Sequence, residues 1–146
     1  YSLYRVLLTA FLVLLYRYTG ESDLAIGTAM AGRWGTDWFR DVIGYFSNMV
    51  PLRVPIEEEL GFEALLGEVD RIVRQAQSHQ DLPLQELVKQ KKTSRLFSIT
   101  FTWQKHRWVH RSFEGLIFEP YLLEHQGGAT FDLDLQVVEA GDRFNL

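Results

Sequence analysis

Two short segments carry the side chains best suited to act on a substrate. The first is residues 43–53, Ile-Gly-Tyr-Phe-Ser-Asn-Met-Val-Pro-Leu-Arg, with Asn48 near its centre. The second is residues 79–84, His-Gln-Asp-Leu-Pro-Leu. A neutral amide both donates and accepts hydrogen bonds, so Asn48 could position a polar substrate group without a charge to desolvate. The alternative role for Asn48 is a structural hydrogen bond to the backbone of a turn.

The four histidines could supply acid–base or metal chemistry, but their surroundings favour simpler roles. His79 and Asp81 are too close in sequence for a catalytic pair, and no Ser or Cys nucleophile motif accompanies them. A turn held by side-chain hydrogen bonds is therefore the favoured interpretation. His106, His110 and His125 lack the spacing of a zinc-binding helix. His106 and His110 would share a face of an extended segment, which leaves a transition-metal site there as an alternative.

Composition restricts the class of protein. A chain of 146 residues with 47% hydrophobic and 23% charged residues is typical of one folded domain. The net charge of −4 argues against a general nucleic-acid binder. The absence of cysteine excludes disulfides and thiolate metal sites. Residues 7–15 are nearly all apolar, but they are far fewer than the roughly 20 that a membrane span requires, so we predict a buried helix.

Hydrophobic patterns predict one α+β layered unit over residues 1–146, with helices first and an antiparallel sheet after them. The predicted helices are residues 3–18, 38–46, 62–77 and a short one capped by Asp81 that runs to about residue 89. The predicted strands are residues 24–30, 49–54, 97–104, 116–121 and 131–138, with another from 143. Pro51 and Pro55 indicate that residues 49–54 lie at an edge or an end.

In order and spacing, the two segments resemble core motifs of the condensation domain of nonribosomal peptide synthetases. That family forms peptide bonds between substrates tethered to carrier proteins. Residues 8–20 resemble its long helix, residues 26–33 its strand ending in a Gly-Arg loop, and residues 131–135 a late strand. Residues 93–97 resemble a degraded RDxSRxPLF motif. The family's catalytic signature, HHxxxDG, does not occur in the sequence, so the chain resembles the C-terminal half of the domain and we expect it to be inactive alone.

Some departures from the family pattern bear on the subtype. Met49 follows Asn48 where Thr is common, and the motif at residues 93–97 lacks its leading Arg-Asp and its Pro. Epimerising relatives show a Gly-Trp-Phe-Thr-Ser pattern where this chain has Gly-Tyr-Phe-Ser-Asn, so the chain resembles the peptide-bond-forming branch more closely. The cyclising branch stays open, because its altered catalytic motif would lie in the other half.

The resemblance implies a chloramphenicol-acetyltransferase-like, two-layer α/β sandwich of the α+β class. It implies no catalytic residue in this chain, but a wall of the substrate tunnel formed by Gly27, Thr28, Gly32, Arg33, Gly44, Phe46, Ser47 and Asn48. It also implies residues with a structural role: Arg53 and the turn residues His79, Gln80, Asp81 and Pro83, which hold this wall in place, and the motif residues Ser94 and Arg95.

A basic segment supplies seven of the fifteen Lys and Arg residues: Lys89, Lys91, Lys92, Arg95, Lys105, Arg107 and Arg111. A solvated surface is the simpler interpretation, and docking of an acidic partner is the functional one. The resemblance implies that this partner is a carrier protein, which brings the phosphopantetheine arm, so that no cofactor is bound directly. It further implies the N-terminal half of the same domain and an adenylation domain as partners, no nucleic acid or membrane, and a cytoplasmic location.

Two other functions stay open. An isolated half-domain could act as a non-catalytic module that docks carriers or another protein. An unrelated α+β acyltransferase would need a catalytic histidine in its own context, which none of the four histidines has. If the chain acts apart from its other half, we expect an exposed apolar face and self-association.

Overall fold

The computed structural model describes residues 1–32, 41–105, 112–113, 115–117, 130–140 and 143–145. The helices are α1 (Leu3–Thr19), α2 (Phe62–Ser78) and α3 (Leu84–Lys91). The strands are β1 (Asp23–Met30), β2 (Asn48–Pro55), β3 (Ile99–Lys105), β4 (Ser112–Phe113), β5 (Leu116–Ile117), β6 (Leu133–Ala140) and β7 (Arg143–Asn145). The predicted helices at residues 3–18 and 62–77 and the predicted strands at 24–30 and 49–54 are therefore confirmed.

In the described residues, five strands form one sheet in the order β2-β1-β3-β6-β7, and β4 pairs separately with β5. The edge position predicted for β2 is confirmed. The prediction of an antiparallel sheet was wrong, because β1, β3 and β6 run parallel and antiparallel pairing joins β2 to β1 and β7 to β6. The physical reason is the length of the connections: residues 31–98 lie between β1 and β3 and residues 106–132 lie between β3 and β6, and parallel pairing requires long connections of this kind.

Helices α1 and α2 pack together over one face of the sheet. On α2, Leu65, Val69 and Val73 recur every fourth residue and are buried, as the apolar stripe predicts. Phe101 of β3 is fully buried, and its ring centroid lies 5.5 Å from that of Tyr4 and 5.8 Å from that of Phe11. These contacts place the main hydrophobic core between the two helices and strands β1 to β3.

The helix predicted at residues 38–46 was wrong in its described part. Residues 41–47 form no helix, and Val42 and Ile43 are exposed, whereas residues 33–40 lie outside the described residues. Pairing of β1 with β2 begins at Met30 opposite Asn48, so the chain returns to the sheet as an irregular connection rather than as a packed helix. Apolar spacing alone could not reveal this tertiary requirement.

The cap predicted for α3 was also wrong. Pro83 is the residue that precedes the first turn, with φ −61° and ψ 137°, and Asp81 lies two positions earlier with its side chain exposed. Proline fixes φ near this value and disfavours a helical residue before it, so the helix begins directly after Pro83. The predicted strand at 116–121 is present as β5, and residues 118–121 lie outside the described residues.

Within the described ranges, no helix is long and apolar enough to span a bilayer.

Candidate functional site

Asn48 connects the two segments that the sequence singled out. It begins β2, and its Nδ2 donates hydrogen bonds to the carbonyl oxygens of Gln80 and Leu82, each at 2.8 Å. These two bonds use both N–H groups of the amide. Among the described residues no donor contacts Asn48 Oδ1, and the residue is half-buried. The amide therefore fixes the turn between α2 and α3 and leaves one acceptor for another group.

The side chains of His79 and Gln80, within the same turn, form further hydrogen bonds to the end of α2. His79 Nδ1 lies 2.9 Å from the carbonyl oxygen of Gln75 and 2.9 Å from Ser78 Oγ. Gln80 is 6% exposed, and its Nε2 donates to the carbonyl oxygen of Gln77 at 3.0 Å. The His79 ring thus serves a local structural contact at the end of α2, which is the simpler of its two proposed roles.

Gly32 brings the loop after β1 against the segment before β2. Its φ of 63° lies in the left-handed region that favours glycine. A Cβ at this position would lie 2.0 Å from the carbonyl oxygen of Phe46, so the close approach also requires glycine. A Cβ at Gly44 would lie 3.0 Å from Phe46 Cε2, which makes Gly44 part of the same close contact. Arg33, the next predicted wall residue, lies outside the described residues.

Gly27 and Thr28 are buried within the sheet. A Cβ on Gly27 would lie 2.2 Å from Phe97 Cε2, so the Phe97 ring covers the backbone of β1 at this point. Thr28 is 1% exposed, and its Oγ1 lies 3.0 Å from the hydroxyl of Tyr4. Burial raises the pKa of the Tyr4 phenol, and the hydrogen bond to Thr28 partly opposes that shift.

Among the described residues, the accessible part of the predicted wall is smaller than the sequence implied. It consists of the exposed Gly44 and Ser47 and the half-buried Gly32, Phe46 and Asn48. We call these five residues the wall surface. They are brought together by the β1–β2 pairing and by the contact between Gly32 and Phe46.

Arg53 lies at the opposite end of β2 from Asn48, about 17 Å away along an extended strand. It forms a bidentate ion pair with Asp23. Arg53 Nε lies 2.8 Å from Asp23 Oδ1, and Arg53 Nη2 lies 2.5 Å from Asp23 Oδ2. The guanidinium holds the pKa of Asp23 below its usual range. Both side chains are exposed, so the pair contributes little to stability and fixes the far end of the hairpin.

Arg95 joins the loop before β3 to the start of the β6 segment. Its guanidinium lies 3.2 Å from Asp132 Oδ2. The turn itself is held by Thr93, whose Oγ1 donates to the carbonyl oxygen of Arg95 at 3.0 Å. Ser94, the residue that the sequence singled out, is exposed.

Part of the predicted basic surface lies in the described residues. Lys89 Nζ lies 2.8 Å from Glu86 Oε1, one turn earlier on α3. Lys91 and Lys92 are exposed at the end of that helix, where Lys92 adopts a left-handed conformation with φ 50°. The side chain of Lys105 and residues Arg107 and Arg111 lie outside the described residues.

Within the described ranges, no group of three or more His, Cys, Asp or Glu side chains could hold a metal ion. His106, His110 and His125 lie outside those ranges.

Several residues of this region were not found from the sequence. Asp23 partners Arg53 across the hairpin, Tyr4 partners Thr28 from a different element, and Phe97 covers Gly27. A glycine inside a strand does indicate close approach of another group, and that signal predicts a neighbour for Gly27 without identifying it.

Comparison with known proteins gives a family for the whole chain. The family model described as "Condensation domain" matches residues 1–146. Tyrocidine synthase 3 of Brevibacillus parabrevis is 38% identical over 144 residues, which are 94% of this chain and 2% of that protein. Gramicidin S synthase 2 of Brevibacillus brevis is 34% identical over 148 residues, 94% of this chain and 3% of its own length. Surfactin synthase subunit 2 of Bacillus subtilis (strain 168) is 35% identical over 99% of this chain, which spans 4% of it.

Solved structures agree with this result. The starter condensation domain of rhizomide synthetase RzmA superposes with a TM-score of 0.79 at 28% identity, over 97% of this chain and 34% of that one. The four-domain nonribosomal peptide synthetase holo-AB3403 gives a TM-score of 0.81 over 97% of this chain and 12% of its own. At 19% identity, that second likeness shows the fold alone. The predicted acyltransferase-like α+β fold is confirmed, and the chain belongs to the condensation domain family.

Proposed function

We propose that this chain forms part of a condensation domain that joins an acyl or peptidyl thioester to an aminoacyl amine, each tethered to a carrier protein. The observation that carries the proposal is the contact of Asn48 with the turn at Gln80 and Leu82. It joins the two family motifs into one structural unit that includes most of the wall surface. Family membership over all 146 residues supports the same assignment.

In the proposed reaction, the amine nitrogen on the downstream carrier attacks the thioester carbonyl carbon of the upstream carrier. The tetrahedral intermediate collapses as the carbon–sulfur bond breaks, the phosphopantetheine thiol leaves, and the amine loses a proton. We assign the positioning or deprotonation of the amine to the HHxxxDG half of the domain, and no general base to this chain. The chain alone is therefore proposed to be inactive.

The wall surface would line the opposite side of the tunnel. Because both N–H groups of Asn48 are used by the turn, its Oδ1 is the atom proposed to meet the substrate. A carbonyl oxygen accepts hydrogen bonds, so Asn48 would contact the N–H of the incoming amine rather than the thioester carbonyl. Ser47 is exposed beside it and adds a small polar side chain to the same surface.

The partners proposed for the chain are the other half of its domain, carrier proteins and a neighbouring adenylation domain. Each carrier would bring its substrate on a phosphopantetheine arm, so that the chain itself needs no bound cofactor. Lys91 and Lys92 are the described basic side chains proposed to contact an acidic carrier, because Lys89 and Arg95 already pair with carboxylates.

The test is a peptide-forming assay with two loaded carrier proteins. It compares this chain alone with the same chain extended to include the HHxxxDG half, and it measures carrier binding separately. We expect product from the extended protein and none from the chain alone. Carrier binding without product from the extended protein would contradict the enzymatic proposal and favour the non-catalytic docking module.

A further inference from the structure

A cavity of about 170 Å³ lies beyond the carboxyl ends of the parallel strands β1 and β3. Its described lining comes from these two strands, the residue after β1, α1, α2 and the turn after α2: Tyr4, Ala29, Met30, Ala31, Val73, Gln77, Gln80 and Trp103. None of the five wall-surface residues is in the described lining, but the cavity adjoins that surface, because Met30 pairs with Asn48 and the carbonyl oxygen of Gln80 accepts a hydrogen bond from Asn48. In open α/β sheets, ligands bind in the crevice beyond the carboxyl ends of parallel strands.

Gln80 gives the cavity a buried polar group that the described fold does not satisfy. Its Nε2 donates to the carbonyl oxygen of Gln77, but its Oε1 receives no hydrogen bond from the described residues. A buried carbonyl oxygen without a donor costs free energy, so a donor that reached it would be bound favourably. Because neighbouring atoms cover Oε1, the donor would reach it by displacing the lining slightly.

The rest of the described lining is neutral and largely apolar. Met30 and Val73 are buried side chains of the core, and the hydroxyl of Tyr4 forms a hydrogen bond with that of Thr28. The Tyr4 phenol is uncharged at neutral pH, since its ordinary pKa of 10.0 is already well above 7 and burial raises it further. A charged ligand would therefore find no opposite charge among these side chains. A cavity of roughly 150 Å³ can hold a benzene molecule, so this one has room for a group of similar size.

We propose that this cavity binds a small, neutral, mostly apolar group that carries one hydrogen-bond donor, with Gln80 Oε1 as its acceptor. The identity of that group rests on the proposed function: it is a side chain of one of the two tethered substrates. The cavity would then select substrates by the size and hydrogen bonding of that side chain.

Phenol and toluene are matched probes for this site, because they differ in little but the O–H donor. Binding of each to the chain is measured by saturation-transfer NMR titration. We expect phenol to bind about 3- to 10-fold more tightly than toluene, which is the contribution of one neutral hydrogen bond. Equal affinities, or binding of neither probe, would overturn the proposal.

Two variants test the site itself, each with a matched control. Gln80→Met keeps the length of the side chain and removes the acceptor, so the preference for phenol should disappear, whereas Gln85→Met on the exposed surface of α3 should retain it. Ala31→Leu should fill the cavity and abolish binding of both probes, whereas Ala10→Leu on the exposed surface of α1 should not. Phenol binding that survives both Gln80→Met and Ala31→Leu would place the probe elsewhere and contradict the proposal.

The origin of the group is tested in the full condensation domain with Ala31→Leu. Rates are compared across a series of donor thioesters and a series of acceptor amines, and the series whose size selectivity changes identifies the bound side chain. Unchanged selectivity in both series would refute the assignment to a substrate. The two proposals fail separately: loss of probe binding with an active domain refutes the cavity, and probe binding with an inactive domain refutes the reaction.

Discussion

The side-chain amide of Asn48 donates a hydrogen bond to the carbonyl oxygen of Gln80, 32 residues later in the chain, at 2.8 Å. A second bond, to the carbonyl oxygen of Leu82, completes the contact. These bonds join the first residue of β2 to the turn that follows α2. Asn48 is thus a structural residue first, and any action on substrate is left to its Oδ1.

Removal of the Asn48 amide should therefore destabilise the fold. Asn48→Ala leaves two carbonyl oxygens without their donor, and we expect it to lower the free energy of unfolding by about 1–3 kcal/mol. Asn48→Asp should cost more at neutral pH, because a carboxylate would face the same two oxygens. Urea denaturation measures both, with Gln85→Ala on the exposed surface of α3 as the control. An Asn48→Asp protein as stable as the original would contradict this role.

The contact between Gly27 and Phe97 predicts a compensating pair of substitutions. Gly27→Ala places a methyl group where the Phe97 ring lies, and we expect the unfolding free energy to fall by about 1–3 kcal/mol. In the background of Phe97→Leu, the same glycine substitution should cost clearly less, because a smaller side chain can make room. A double-mutant cycle measures the coupling. Equal costs in the two backgrounds would show that the ring does not set the requirement.

Gly32 should be the least tolerant of the glycines in the wall surface. Gly32→Ala combines a left-handed backbone with a Cβ 2.0 Å from the carbonyl oxygen of Phe46, so we expect a loss of at least about 1–2 kcal/mol. Gly67→Ala, in the interior of α2, is the opposite control and should stabilise the chain by about 0.5–1 kcal/mol, since its new Cβ meets ordinary contact distances. Thermal unfolding distinguishes them, and similar effects of the two would argue against strain at Gly32.

Alkaline pH should weaken the fold through Tyr4. Burial raises the pKa of its phenol above the ordinary value of 10.0, so the folded state keeps a proton that the unfolded state loses. The stabilising effect is fully present below about pH 10 and is lost as the pH rises through the folded pKa. Unfolding free energies measured from pH 8 to 11 should fall less steeply in Tyr4→Phe. The pKa of Tyr16 is also raised, by its exposed hydrogen bond to Glu58. Tyr16→Phe should therefore change the slope less than Tyr4→Phe does. A slope unchanged by Tyr4→Phe would exclude Tyr4 as the cause.

Local periodicity predicted the elements well where one face is buried. The stripe on α2 and the apolar positions of β1 pack against the same core, so pattern and structure agree. Strand direction was missed, because a strand's residue pattern is similar in both orientations and parallel pairing depends on long connections that place distant strands side by side. The segment at residues 41–47 was missed because its apolar spacing suits a helix, whereas its place is set by pairing of Asn48 with Met30.

The proximity of the segments in the candidate site was predicted from the sequence, and their contacts were not. Sequence resemblance brought together the segments around Gly32, Phe46 and Asn48, and the structure places these residues side by side. The two roles of Asn48 could not be separated from the sequence, because its partners lie more than 30 residues away in the turn. Hydrogen bonds of this range depend on the tertiary fold and leave no local pattern.

The central proposal, that the wall surface borders the reacting substrates, is tested most directly by adding bulk to it without disturbing the fold. Ser47 is exposed at the wall surface, and Ser22 is exposed at the opposite end of the β1–β2 hairpin. The rate of peptide-bond formation is measured in the full condensation domain that contains this chain, for Ser47→Trp and Ser22→Trp. Urea denaturation first confirms that the two variants have equal free energies of unfolding. We predict at least a roughly tenfold loss for Ser47→Trp and an unchanged rate for Ser22→Trp, since misplacement of reacting groups is costly. Equal rates for the two variants would contradict the proposal.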